Sequence, residues 1–120
     1  MEKYFDLENR TERFANDCRR LAKGLIHHKI LEDDLRQLIR SSGSVAANYI
    51  EGNEALGRKD RLMRYRTSRK ESKESRLWLN FLQLDHSQIL EDIIHERERL
   101  SKEASEILKI MSSIIIKFEG

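Results

Sequence analysis

Two polar residues near the middle of the chain, Asn48 and Glu51, stand three positions apart. In an α-helix this spacing places both side chains on one face, where Glu51 would act as an acid or base beside the Asn48 amide. The alternative is a buried polar layer that fixes helix register and faces serine side chains of another helix. The cationic partner of Glu51 would then be Arg58, Arg69, Lys70 or Lys73. Since no nucleophile–base pair accompanies the two residues, we favour the structural interpretation and expect no catalytic residue. Replacement of Glu51 by alanine should then cost a few kcal/mol of stability, as removal of one partner of a buried pair does.

The four histidines and the single cysteine do not form a metal-binding pattern. Di-iron sites in four-helix bundles need a Glu-x-x-His on each of two helices, together with further inward carboxylates. Asp92 and His95 give one Asp-x-x-His, whereas His27 and His28 are adjacent and would point about 100° apart on a helix. We therefore expect no metal ion, and we interpret Cys18 as a small core residue on an apolar stripe.

Phosphate-binding loops have no counterpart in this sequence. Gly52 and Gly57 have the glycine spacing of a P-loop, and Arg58 follows, but the preceding strand and the lysine–hydroxyl pair are missing. We expect no bound cofactor and no enzymatic activity.

Basic residues concentrate between positions 58 and 76, where nine lysines and arginines stand against three acidic residues. This segment carries a net charge of +6 in a chain of net charge +2, so the remainder carries −4. Such asymmetry can attract phosphate groups. The alternative is a solvated helix surface paired with its own acids, since in helical projection the nine do not share one face. The candidate nucleic-acid-binding residues are Arg58, Lys59, Arg61, Arg64, Arg66, Arg69, Lys70, Lys73 and Arg76. Of these, Arg61, Arg64 and Lys73 are expected in water, so that their replacement by glutamine should leave folding intact.

The elements that would position these residues are all helical. Proline is absent, and charged and hydrophobic residues make up 37% and 38% of the 120 residues, a mixture typical of long amphipathic helices. Apolar residues recur at three-and-four spacing in four segments joined by short connections. The sequence therefore predicts one all-α domain over 1–120, an antiparallel up-down-up-down four-helix bundle. The predicted helices are 6–26, 31–55, 60–84 and 88–118.

Glycines and turn residues refine this prediction. Gly43 lies inside the second helix, where glycine costs about 1 kcal/mol against alanine, and so it indicates close approach of another backbone. Gly52 and Gly57 flank the next turn and would supply left-handed C-caps. Asp85 and Ser87 offer N-cap oxygens for the fourth helix.

The third predicted helix contains no apolar residue between Arg66 and Arg76, a stretch of roughly 16 Å. The apolar stripe of this helix ends with Leu77, Trp78, Leu79, Phe81 and Leu82. Extending the stripe backward from Leu79 puts Ser68, Ser72 and Ser75 on the inward face. Small hydroxyl side chains at these positions would permit tight contact with another helix.

The fourth predicted helix has an apolar stripe that begins at Leu90. It has more apolar residues than this one inward stripe can accommodate, and Ile110 and Ile116 fall off the stripe. We therefore expect a homo-oligomer. No apolar run reaches the roughly 18 residues of a membrane span, and no signal peptide opens the chain. From the lack of such a run we expect no membrane partner. A single cysteine excludes an intramolecular disulfide, which favours a reducing compartment and a cytoplasmic protein.

Segments on three helices resemble those of a bacterial four-helix-bundle family, first described from open reading frames within intervening sequences of 23S ribosomal RNA genes. The segment 44–52 is similar to the family signature Ser-x-x-x-Asn-x-x-Glu-Gly. The segment 69–79 is similar to a second signature, and 106–110 also fits. The signature residues in this chain, which we interpret as structural, are Ser44, Asn48, Glu51, Gly52, Glu71 and Trp78.

The resemblance implies a homo-oligomer, and specifically a pentamer. The same fold class includes the accessory protein of diversity-generating retroelements, a pentameric, basic assembly that binds nucleic acid and its reverse transcriptase. Nucleic acid and a partner protein such as a reverse transcriptase are thus implied partners. The net charge of only +2 departs from the strongly basic character of that accessory protein.

Two functions of different class follow. The first is a non-enzymatic, oligomeric adaptor that binds RNA or DNA without base specificity, because arginines on a rigid helix contact phosphates. The second is a protein–protein interaction scaffold with no nucleic-acid role. Salt dependence separates the two, since phosphate contacts release counterions and apolar docking does not.

Overall fold

The computed structural model describes residues 2–119, with side chains from Asp6 onward. Its four long helices comprise most of these residues, and no β-strand occurs among them, which confirms the predicted all-α class. No helix in this part of the chain is long and apolar enough to cross a lipid bilayer. The helices are α1 (Glu2–Gly24), α2 (Glu32–Glu54), α3 (Arg58–Phe81) and α4 (Glu91–Glu119), with a short 3-10 helix at Lys29–Leu31.

The helices form an elongated bundle of 50 × 23 × 19 Å. Each helix packs against the next one in the chain, and α1 packs against α4 to close the bundle. Two ion pairs support this closure: Arg10 binds Glu103 at 2.7 Å, and Arg99 binds the largely buried Asp17 at 2.8 Å. The up-down-up-down arrangement follows from these neighbours and the short connections.

The core is built from the apolar stripes that the sequence predicts. Phe14 and Leu21 of α1, Leu38 of α2, and Leu100 and Met111 of α4 are all almost completely buried. These positions recur at helical spacing, so each helix turns one apolar face inward and leaves its charged face in solvent. The burial of this surface is the main favourable contribution to folding.

The contact between α2 and α3 is the most extensive in the bundle, and serine hydroxyls lie inside it. Ser68, Ser72 and Ser75 of α3 are fully buried, as predicted. The Ser68 hydroxyl donates to the Val45 carbonyl of α2 at 2.8 Å, and the Ser75 hydroxyl donates to Ser41 at 2.9 Å. Small side chains let the two backbones come close, and each hydroxyl is satisfied by a hydrogen bond.

The connection between α3 and α4 differs from the prediction. Helix α3 ends at Phe81 rather than near 84, because Leu82 leaves the helix in an extended conformation and buries its side chain in the core. Asp85 accepts hydrogen bonds from the Ser87 amide and hydroxyl at 2.9 and 2.7 Å. These bonds close a turn ahead of α4, which begins only at Glu91, so the predicted N-cap was wrong. Leu90, predicted for the apolar stripe of α4, is 73% exposed.

The glycine predictions were also wrong in detail. No described glycine has a positive φ angle, so neither Gly52 nor Gly57 forms a left-handed cap. Close approach occurs at Gly52 rather than Gly43: a Cβ atom on Gly52 would lie 2.7 Å from the buried ring of Tyr65. At Gly43 the nearest atom, at 2.8 Å, is the guanidinium Nη2 of Arg19, the far end of a flexible side chain.

These two glycines give a matched pair of variants. Gly43→Ala should raise the free energy of unfolding by up to about 1 kcal/mol, because alanine favours the helix and Arg19 can move aside. Gly52→Ala should lower the free energy of unfolding by about 1 kcal/mol or more, because the Tyr65 ring cannot move without repacking. Urea unfolding of both variants measures the difference. Equal effects of the two substitutions would contradict the packing described here.

Candidate functional site

Polar residues of α2 and α3 meet along one side of the bundle, and most of the family-signature residues lie among them. On α2 they stand three or four positions apart, so that they share one helical face. On α3 they flank the serine stripe on the side that faces α2. We call this row the polar seam. It consists of Arg40, Ser44, Asn48 and Glu51 on α2 and Arg64, Glu71 and Glu74 on α3.

One half of the polar seam is centred on Arg64. Its guanidinium donates to the Asn48 amide oxygen at 3.2 Å and pairs with the Glu51 carboxylate at 3.0 Å. The Asn48 amide in turn donates to the Ser44 hydroxyl at 2.9 Å. Three signature residues of α2 are therefore joined to α3 through a single arginine.

The prediction for Glu51 was wrong in burial and in partner. Its side chain is 58% exposed, and its partner is Arg64, not the predicted Arg58, Arg69, Lys70 or Lys73. An ion pair this exposed contributes about 0 to 1 kcal/mol, so Glu51→Ala should not cost the few kcal/mol expected of a buried carboxylate.

The other half of the polar seam is centred on Glu71, which is buried between the two helices. Arg40 donates to its carboxylate at 3.2 Å and lies 3.8 Å from Glu74. Burial raises the pKa of Glu71, but hydrogen bonds with Glu74, Arg40 and Ser44 outweigh burial and hold that pKa below its usual value. The pKa of Glu74 is raised, chiefly by its hydrogen bond with Glu71. Glu71 is thus the carboxylate of the pair, and Glu74 is the one that takes up a proton more readily.

The basic segment divides into two sets, and the first set holds the helices together. Arg61 donates to the Asn53 and Ala55 carbonyls at the end of α2, at 3.4 and 3.2 Å, and lies over the ring of Phe118. Arg58 donates to the Phe118 carbonyl. Arg76 donates to the Ser105 hydroxyl of α4 at 3.1 Å. Together with Arg64 of the polar seam, these arginines have structural partners, although the sequence predicts Arg61 and Arg64 in water.

The second set lies on the side of α3 turned away from the bundle. These four residues fall within roughly 60° around the helix axis, and their side chains are exposed. Arg66 pairs with Glu119 near the end of α4, whereas the three lysines form no ion pair with any described residue. Arg69, half-buried toward α4, likewise has no ion pair in this part of the chain. We call the exposed set the outer face of α3: Lys59, Arg66, Lys70 and Lys73.

Exposed apolar side chains on the outer face were missed by the sequence analysis. Leu77 and Phe81 are 45% and 51% exposed, although the sequence predicts both for the core. They lie on the side of α3 opposite the buried Ser68 and Ser75. Their helical spacing from these serines is the sequence signal that could have identified them as exposed. Trp78 is half-buried, and its ring contacts Phe81 edge-to-face at 5.7 Å between centroids. Tyr65 is buried and stacks on Tyr49, so it belongs to the core.

The single cysteine is buried, and the histidines of the described chain belong to no metal-binding cluster. Cys18 is fully buried, as predicted, and burial raises the pKa of its thiol to about 12. A thiol with such a pKa is a poor nucleophile at neutral pH. Among residues 2–119, no group of three or more His, Cys, Asp or Glu side chains is arranged to hold a metal ion.

The carboxyl pair of the polar seam gives a prediction for pH. Because the folded-state pKa of Glu74 is raised, its stabilising contribution is present at low pH and lost as the pH rises through that pKa. Glu74→Gln keeps a neutral donor beside Glu71 at every pH. It should therefore raise the free energy of unfolding near pH 7 by up to about 1 kcal/mol. The gain should vanish near pH 4, where the wild-type Glu74 is itself protonated.

Urea unfolding at both pH values measures this effect. Glu98→Gln is the control, because Glu98 is exposed and forms no ion pair with the described residues. A gain from Glu74→Gln that persists at low pH, or that Glu98→Gln reproduces, would contradict the raised pKa of Glu74.

The sequence matches no family model and no curated protein sequence. Among solved structures it is similar to a protein of unknown function from Bacteroides thetaiotaomicron, assigned to the S23 ribosomal protein family. The two share 26% identity with a TM-score of 0.78, over 94% of this chain and 97% of that one. In fold and in sequence, this chain is thus similar to a member of the S23 ribosomal protein family.

Proposed function

We propose that this chain is a non-enzymatic, homo-oligomeric adaptor that binds RNA or DNA through the outer face of α3. The observation that carries the proposal is the group of three exposed lysines, Lys59, Lys70 and Lys73, without ion pairs among the described residues. They extend over about 21 Å of helix, a length that several successive phosphates of a nucleic acid would span. Arg66 lies between them, and Arg69 stands at the edge of the same surface.

Binding through this surface would carry little base specificity. Lysine ammonium groups on a rigid helix act as point charges toward phosphates, and they read no base edges. Phe81 at the end of the outer face could add stacking on an unpaired base, which would favour single strands over duplexes. The negative charge of the remaining chain would keep the protein soluble and orient the basic surface toward the nucleic acid.

The homo-oligomeric part of the proposal rests on exposed apolar side chains. Ile116 of α4 is 66% exposed, in keeping with the prediction that it leaves the inward stripe, whereas Ile110 packs partly against the core. A pentamer and a partner such as a reverse transcriptase are implied only by the family resemblance and stay predictions. A cytoplasmic location is proposed on the single cysteine, Cys18, which is buried as a free thiol.

A protein–protein interaction scaffold is the second candidate function. It is favoured by a specific observation: Leu77, Phe81 and Leu90 are exposed toward one end of the bundle. Apolar docking there would bury these side chains and would depend little on salt.

The test replaces Lys59, Lys70 and Lys73 with glutamine and measures binding of a labelled single-stranded oligonucleotide by fluorescence anisotropy at several salt concentrations. Affinity should fall, and the slope of log affinity against log salt should flatten by up to about 0.7 for each lost phosphate contact. Folding should be unchanged, since the three lysines make no ion pairs with the described residues.

The matched control replaces Lys102, Lys109 and Lys117, three exposed lysines of α4, and so removes the same charge. It should retain most of the wild-type affinity. Wild-type protein that fails to bind at low salt would refute nucleic-acid binding and favour the scaffold. Equal losses in the two triple variants would show that the outer face is not the site.

A further inference from the structure

An open groove of about 700 Å³ lies between the end of α1 and the beginning of α2, away from the outer face of α3. Its floor is apolar and consists of Ala22, Ile26, Leu35 and Ile39. Ile26 is 67% exposed, because α1 ends at Gly24 and the chain turns before the 3-10 helix. The floor thus presents apolar surface that nothing within the described chain covers.

The rim of this groove is cationic. Arg19 and Lys23 stand one helical turn apart on the α1 wall, and Lys29 lies at the turn. None of the three forms an ion pair with a described residue; Arg19 donates to the Ala15 carbonyl at 3.1 Å. On the α2 wall Arg36 pairs with Asp33, which lies outside the groove. Glu32 is the single acidic residue in the lining, so the groove has an excess of positive charge.

The dimensions and the chemistry of the groove together select its occupant. Two helices form its walls, and each wall extends about 11 Å, the length of two helical turns. An amphipathic helix fits such a groove by laying its apolar stripe on the floor. Acidic residues beside that stripe would meet Arg19, Lys23 and Lys29. A phosphate backbone would satisfy the rim but would leave the apolar floor uncovered.

We infer that the groove between α1 and α2 is a docking site for an amphipathic helix of a partner protein, with acidic residues beside its apolar stripe. The inference is independent of nucleic-acid binding, because it uses different helices and different residues. An adaptor with both surfaces would hold a protein on one side of the bundle and a nucleic acid on another.

The probe is a designed peptide of about 14 residues, since shorter isolated helices form poorly in water. Leucines form its apolar stripe and glutamates flank them; a second peptide carries lysines in place of the glutamates. Fluorescence anisotropy should give the acidic peptide a Kd at least about tenfold lower than that of the basic one. Replacement of Ile26 by aspartate should raise the Kd about tenfold or more, by removing apolar contact and repelling the glutamates.

Ile116→Asp is the matched control for the groove, since Ile116 has the same type and nearly the same exposure as Ile26 but lies on α4, outside the groove. Because Ile116 is also proposed for subunit contact, sedimentation of both variants accompanies the binding measurement. Ile116→Asp should leave the Kd unchanged, as should the triple replacement of Lys59, Lys70 and Lys73. Both isoleucines are exposed, so neither variant should unfold the protein, and thermal melts check this.

Several results would overturn the inference. Equal affinity for the two peptides would show that the cationic rim does not contribute to binding. Equal losses of peptide affinity from Ile26→Asp and Ile116→Asp would indicate nonspecific binding. An oligonucleotide whose binding depends on Ile26 would make the groove a nucleic-acid site. Sedimentation showing that Ile26→Asp dissociates a wild-type oligomer would make the occupant another copy of this chain.

Discussion

The close contact between α2 and α3 is the constraint on which the rest of this bundle depends. Hydroxyls replace apolar side chains along the middle of α3, and the bond from Ser68 to the Val45 carbonyl shows how near the two backbones lie. At Gly52 the backbone of α2 also lies close to the ring of Tyr65 on α3. Because this contact needs only small side chains, α3 can carry an unbroken polar stretch from Arg66 to Arg76 and still pack inside a folded domain.

That polar stretch places cations on three sides of one helix, with a different role on each side. Toward α2, Arg64 joins the polar seam; toward α4 and the helix ends, other arginines satisfy carbonyls and hydroxyls. Within α3, the lysines without carboxylate partners among the described residues all lie on the outer face. The functional proposal therefore rests on where each cation lies and whether it is paired. It does not rest on the total charge of the segment, because most of its arginines bind partners within the fold.

Much of the fold could be predicted from the sequence, because apolar periodicity and the serine stripe depend on residues within one helix. The four helices, the burial of Ser68 and the burial of Cys18 were predicted correctly for this reason. The exposure of Glu51 could not be predicted, since it depends on the rotation of α2 against α3 and on which arginine crosses between them. The same limit explains Phe81. The rotation of α3 about its own axis places this apolar side chain in solvent, and that rotation depends on the neighbouring helices.

The central claim is that the outer face of α3, and no other basic surface, contacts nucleic acid. Its most direct test is an NMR titration of isotope-labelled protein with a short single-stranded oligonucleotide, observed at the lysine side-chain resonances. We expect the largest changes at Lys59, Lys70 and Lys73, with Lys23 and Lys29 of the groove unaffected. Changes centred on Lys23 and Lys29, or absent from every lysine at low salt, would contradict the claim.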